Sequence, residues 1–176
     1  MPKILPDQRE IFLANARRIL KEEGYAALSI RRLAEESGAA SGTLYNYFHS
    51  KDELIAEVML DDWRAVLQEM KEAAQTAENF PDGLTEISGS LGTFARQNMQ
   101  MWRQYLSMGG SSEMIAEHHG VLRGQIEEPV RLLIRRKGDE GLLAESPLLA
   151  ELVLAAAMHP ELDPSLLRGM AERMVR

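Results

Sequence analysis

The chain has 176 residues, no cysteine and a formal net charge of −7. That length suits one compact domain, or a small module joined to a larger one, and can bury a core without covalent staples. The missing cysteines exclude disulfides, cysteine-ligated zinc and thiol catalysis, and no secretory signal or run of about 18 apolar residues stands out, so a cytoplasmic protein without a membrane span is expected.

The patterning is helical almost throughout, without strand-length alternation, internal repeat or low-complexity tract. A first helix is expected from about Asp7 to Glu23, where Asp7 and Glu10 have capping-box spacing. Phe12, Ala16, Ile19 and Leu20 form its apolar face, and Gly24 ends it. Ser29 is a good N-cap for a short second helix, with Ile30, Leu33, Ala34 and Ser37 facing inward and Gly38 as its stop. After Ala39-Ala40, a third short helix covers Ser41 to Phe48. Ser50 to Glu53 is a second capping box, opening a long fourth helix whose apolar positions include Leu54, Val58, Trp63, Val66, Leu67 and Met70. Asn79 to Gly83 suggests a loop, and further helices are expected at about 84–108, 112–137, 147–158 and 164–175 between Gly and Pro breaks.

Two short helices joined by a tight turn and supported by a longer one make a helix-turn-helix. At about 100° per residue, Phe48 falls about 40° from Leu44, while Gly42, Thr43 and Asn46 lie about 160–260° away. Leu44 and Phe48 therefore point into a small core, and the other three face out. Tyr45 and Tyr47 flank the outer face, partly as core residues. Gly42 permits close backbone approach to a DNA groove, Thr43 and Asn46 can hydrogen-bond to base edges, and Tyr45, Tyr47 and Lys51 can reach phosphates. Arg31, Arg32 and Lys51 sit in first turns of helices, where acidic residues are preferred, and a nearby phosphate would account for them. Solvated surface charge is the other reading. Residues 1–51 carry eight Lys/Arg against six Asp/Glu, and residues 52–176 carry twelve against twenty-one. A mildly basic N-terminal part permits nucleic-acid binding, although uneven helical surfaces would look the same.

Residues 24–54, GYAALSIRRLAEESGAASGTLYNYFHSKDEL, resemble the DNA-binding segment of TetR-type transcriptional regulators. The resemblance rests on Gly24, Ser29, Ile30, Leu33, Ala34, Gly38, Gly42, Leu44, Tyr45, Phe48, Lys51 and Leu54, and covers about a third of the chain. It implies that Ser41, Gly42, Thr43, Asn46 and Tyr47 face bases or nearby phosphates, and that Ser29, Tyr45 and Lys51 hold the DNA backbone. This chain has Ala39 where family members often have Val or Ile, and Tyr47 where they often have His.

The resemblance further implies an all-α architecture. An N-terminal three-helix DNA-binding domain, residues 1–50, would precede a helical effector-binding and dimerisation domain, residues 51–176. In that second part Trp63, Met99, Trp102 and Tyr105 are the pocket candidates, since Met and aromatics line adaptable apolar pockets as well as ordinary cores. Gly83, Gly89, Gly92, Gly109 and Gly110 would either loosen helices beside a pocket or allow close packing at Gly89 and Gly92. His118-His119 lacks the i, i+4 spacing of a chelating pair, so no metal or cofactor is expected. Residues 148–159, LLAELVLAAAMH, are apolar nearly all round. With Leu149, Leu152, Val153, Leu166, Leu167 and Met170 they suggest half of an intermolecular four-helix bundle, closure of the chain's own core being the alternative.

The expected function is a homodimeric, ligand-responsive repressor, bound to a near-palindromic double-stranded DNA operator and released by a small apolar effector. The competing expectation is a helical small-molecule carrier or enzyme whose helix-turn-helix is only structural. Against an enzyme, no nucleophile–base pair, phosphate loop or metal spacing is found, and Ser111 and Ser112 near His118 lack a third partner.

Overall fold

The computed structural model describes residues 6–107, 112–159, 161 and 163–175, with side chains described outside 6–7, 99–119 and 164. All regular elements among the described residues are helical: α1 (Pro6–Glu22), α2 (Ile30–Glu36), α3 (Ser41–Tyr45), α4 (Lys51–Thr76), α5 (Phe80–Ser107), α6 (Ser112–Lys137), α7 (Ser146–Met158) and α8 (Pro164–Met174). Single 3-10 turns occupy Tyr25–Ala27 and Glu140–Glu145. The chain divides into two compact units, Met1–Trp63 and Arg64–Arg176, with the division inside α4.

In the first unit α1 starts at Pro6, and the capping partner Asp7 lies outside the described side chains. Two glycines make the corners. Gly24 has φ 84° and ψ 177°, a conformation open essentially to glycine alone. Gly38 has φ 65°, and Ala39 N–H closes back on Ala34 O at 2.9 Å, so the chain leaves α2 through a left-handed cap. Ser29 caps α2 as expected, its side chain accepting from Arg32 N–H at 3.2 Å. The helix-turn-helix encloses Phe12, Ile19, Leu33, Leu44, Phe48 and Leu54, all essentially without exposure. Arg17 joins α1 to the Asp61 and Asp62 carboxylates of α4, and Arg9 donates to Glu57 at 2.8 Å. Asn15 Nδ2 donates to Ser37 Oγ at 3.0 Å and ties α1 to the end of α2.

In the second unit α5 is central. It packs on α6, α7 and α8 through a stripe of Phe80, Leu84, Ile87, Leu91 and Ala95. The expected loop at 79–83 is instead the start of this helix. Asn79 Oδ1 accepts from Asp82 N–H at 2.9 Å, and Pro81 lies in the first turn, where its missing N–H costs no helical bond. Gly83 is the glycine that packing requires. A Cβ there would fall 2.4 Å from Leu133 Cδ1 and 2.8 Å from Ala77 Cβ. A Cβ at Gly92 would meet only the Arg96 guanidinium at 3.3 Å and Ala157 Cα at an ordinary 3.9 Å, and Gly89 has open space, so close packing requires neither glycine. At the start of α7 the buried Ser146 hydroxyl donates to Glu127 Oε1 at 2.8 Å and accepts from Arg131 at 3.1 Å, fastening α7 to α6.

Glu140–Met158 spans 19 residues with mean hydropathy 1.6, long and apolar enough by composition to cross a membrane. The segment is a 3-10 turn continued by α7, and Leu149, Ala150, Val153 and Ala157 pack into the core of the second unit.

Candidate nucleic-acid interface

The turn Ser37 to Ala40 leads into α3, whose N-cap Ala40 is extended and supplies no side-chain cap. Leu44 is fully buried on α3, and Phe48 is buried just beyond its end. These two fasten α3 inward, as their angular positions predict. Gly42 and Asn46 are exposed, Thr43 and Ser41 are half-buried, and Tyr45 is 51% exposed. The outward face of the short helix is therefore small, polar and rimmed by one tyrosine, a surface able to meet a groove floor with hydrogen-bonding groups.

Tyr47 differs from its sister. Its ring meets Phe12 of α1 edge-on, with centroids 5.5 Å apart, and lies 6.5 Å from Phe48. The ring joins the chain just beyond α3 to α1, because an aromatic edge packs well on another ring's face. It is half-buried, so it is first an anchor of the helix-turn-helix.

The cations divide in the same way. The basic first turn of α2 has carboxylates where the sequence suggested a phosphate. Arg32 donates to Glu23 and to Glu36 (2.7 Å), and also reaches Ala27 O at 3.3 Å. These carboxylate hydrogen bonds, Glu23 foremost, raise the guanidinium pKa, and Arg32 in return lowers that of Glu23. Arg18 bridges Glu22 and Glu36 from α1. Arg32 is thus a brace between the end of α1 and α2. Arg31 has a single helical neighbour, Glu35 at 3.0 Å, and its side chain is 86% exposed.

Lys51 opens α4. Its ammonium donates to Tyr25 O at 2.7 Å and lies 3.8 Å from the centre of the Tyr25 ring. Partial burial lowers its pKa, with the Asp52 carboxylate opposing that shift. Sequence reasoning found Lys51 but missed Tyr25, for which only the aromatic after Gly24 was a signal. The capping box behind Lys51 is present in altered form: Glu53 N–H donates to Ser50 Oγ at 3.0 Å, and the Glu53 carboxylate accepts from His49 N–H rather than from Ser50.

Of the pocket candidates, Trp63 is buried, and Met99, Trp102 and Tyr105 lie outside the described side chains, as do His118 and His119. The interface candidates split. Leu149 and Val153 are 1% and 0% exposed within the chain and Leu167 is also buried, so their apolar surface is used by the intrachain core. Leu152 is half-buried. Leu166 and Met170 are exposed, together with Leu148 and Met158, which the sequence reading did not single out.

Residues 12–58 match the family model described as bacterial regulatory proteins, tetR family. An HTH-type transcriptional regulator of Mycobacterium tuberculosis is 48% identical over 54 residues, 31% of this chain and 25% of that protein, so the match spans a quarter of the relative's length. The HTH-type transcriptional repressor AcnR of Corynebacterium efficiens is 29% identical over 142 residues, 77% of this chain and 68% of the relative. Among solved structures, the transcriptional regulator SCO7518 of Streptomyces coelicolor A3(2) shares the fold over 97% of this chain and 99% of its own, with TM-score 0.65 and 18% identity. With α2 and α3 set on a supporting α1, the N-terminal segment 12–58 is similar to that of the tetR family of bacterial regulatory proteins, and the chain as a whole shares the helical fold of a solved transcriptional regulator.

Proposed function

We propose that the protein is a homodimeric, ligand-responsive repressor that binds a near-palindromic double-stranded DNA operator through α3. It acts by occupying DNA and not by catalysis, and it works in the cytoplasm where that DNA lies. The observation that carries the reading is the polarity of α3: Leu44 and Phe48 are buried while Gly42, Tyr45 and Asn46 are exposed and Thr43 is half-buried. A short helix fastened by two apolar residues and presenting only small or polar groups is built to be read against a groove. DNA reading is assigned to residues 1–50, with Thr43 and Asn46 toward bases and Ser29, Tyr45, Arg31 and Lys51 toward the DNA backbone. Effector binding and pairing are assigned to residues 51–176.

Exposed Leu148, Met158, Leu166 and Met170 on α7 and α8 support pairing through those helices. A dimer would set its two recognition helices roughly 34 Å apart, one turn of DNA. Repression is supported by the corynebacterial relative, which is named a repressor. Release by a small apolar effector would require a coupling of about 1–3 kcal/mol between effector and operator.

The test is selection of duplexes from a random pool by the purified protein, repeated at two salt concentrations. A palindromic winner, bound more weakly at high salt, is expected. Asn46→Ala should then change sequence preference, and Lys51→Ala should weaken all duplexes alike. Equal losses on selected and random DNA for both variants would remove the assigned division between base and phosphate contacts.

A further inference from the structure

Among the described residues of the first unit, Arg9, Arg17, Arg18, Arg31 and Arg32 each pair with a carboxylate, whereas Lys51 and the exposed Lys21 form no ion pair. Lys51 is nevertheless held. Its Nζ uses one N–H on Tyr25 O at 2.7 Å and lies 3.8 Å from the ring centroid of the same residue. The Tyr25 hydroxyl donates to Asp52 Oδ1 at 3.1 Å, so the ring is itself tied to the first turn of α4. An ammonium has three donors. One is satisfied by the carbonyl and one face is covered by the ring, which leaves donors for an acceptor from outside on a half-buried side chain. A π face attracts a cation without neutralising it as a carboxylate would.

We infer that Tyr25 is a positioning residue for DNA binding: its ring and carbonyl hold the Lys51 ammonium in place and still charged, ready for a phosphate oxygen. This rests on the DNA-reading function proposed above. Lysine brings much rotamer freedom to a contact, and a lysine ordered before DNA arrives loses less of it on binding. Partial burial opposes the charge, and the Asp52 carboxylate offsets part of that cost until an anion approaches.

The experiment is a double-mutant cycle of Tyr25→Leu and Lys51→Met, with Tyr25→Phe and Tyr25→Trp as ring-keeping variants. Affinity is read on the selected duplex and on a random one. Tyr25→Leu is expected to weaken both about threefold to tenfold, the size of one cation–π contact, and to add nothing once Lys51 is Met. Tyr25→Phe should stay within about twofold and Tyr25→Trp should bind as well or better, since indole is the stronger π partner. In the DNA-free protein, the Lys51 ε-methylene proton resonances should be shifted upfield by the ring in the wild type and in both ring-keeping variants. Additive losses in the cycle, or a Tyr25→Phe loss as large as that of Tyr25→Leu, would overturn the inference. Ordinary ε-methylene shifts in a wild type that binds DNA would do the same while leaving the DNA reading intact. A wild type that selects no duplex would overturn the DNA reading itself, and the role of Tyr25 with it.

Discussion

Ser29 and Gly83 show how much a single position carries. Ser29 satisfies the Arg32 N–H at the start of a seven-residue helix. Ser29→Ala should cost about 1 kcal/mol, the usual value of an N-cap, measurable as a lowered urea midpoint at constant slope. Gly83→Ala should destabilise by about 1–3 kcal/mol through overpacking, because the new methyl would meet Leu133 and Ala77 inside contact distance. An unchanged urea midpoint would mean that α5 and α6 separate there at little cost. At this scale the sequence was informative wherever one rotation angle decides the outcome. Leu44 had to face inward once α3 was a helix, and Phe48 keeps to that side because its N–H still donates to Leu44 O at 3.0 Å just beyond the helix. Tyr47 was ambiguous, since a ring at the flank of a helix can turn either way, and its direction depends on Phe12 of another helix.

The helices α7 and α8 were legible as apolar stretches, but periodicity did not show which residues each neighbour takes. Leu149 and Val153 go to the chain's own core, and Leu148, Met158, Leu166 and Met170 stay outside it. Leu166→Glu with Met170→Glu is therefore expected to yield folded monomers in sedimentation, with helicity unchanged. Val153→Asp should unfold the second unit, as a carboxylate there would have to be buried. At the end of α1 the arginine brace gives a pH signature. Arg32 holds the Glu23 carboxyl below its ordinary range. A carboxylate pKa depressed by folding contributes stability that is present above its unfolded value and lost as pH falls through the folded one. Glu23 should accordingly titrate below the usual glutamate range by NMR and return to it in Arg32→Met. An ordinary value in the wild type would show that the brace is open in solution.

For the whole molecule, the charge on the first unit, to which DNA reading is assigned by proposal, differs from what the first 51 residues suggest. Met1–Trp63 holds eight Lys/Arg against eleven Asp/Glu, a formal net of −3, because α4 brings Asp52, Glu53, Glu57, Asp61 and Asp62. Its arginines are paired internally. Among the described residues few cations are left for phosphates, chiefly Lys51 and Arg31, whose pairing with Glu35 is exposed to solvent. At about −0.9 per neutralised phosphate, a dimer should show a log–log salt slope on the order of −4. A slope near twice that would mean that the internal ion pairs open on DNA.

The sequence by itself determined the helical character, the helix-turn-helix, and which face of α3 is polar. All of these follow from short-range rules: periodicity, caps, and the glycines at Gly24 and Gly38 whose backbone angles other residues avoid. Even α5's start at Phe80 was local in origin, in Asn79 and Pro81, although the proline at first suggests a break. Only the tertiary structure decided the pairing of Arg32 with Glu23 and Glu36, the packing of Tyr47 on Phe12, the place of Tyr25 beneath Lys51, and the division of α7 between core and surface. Each of these depends on which distant side chain lies opposite, and that is set by the packing of whole helices.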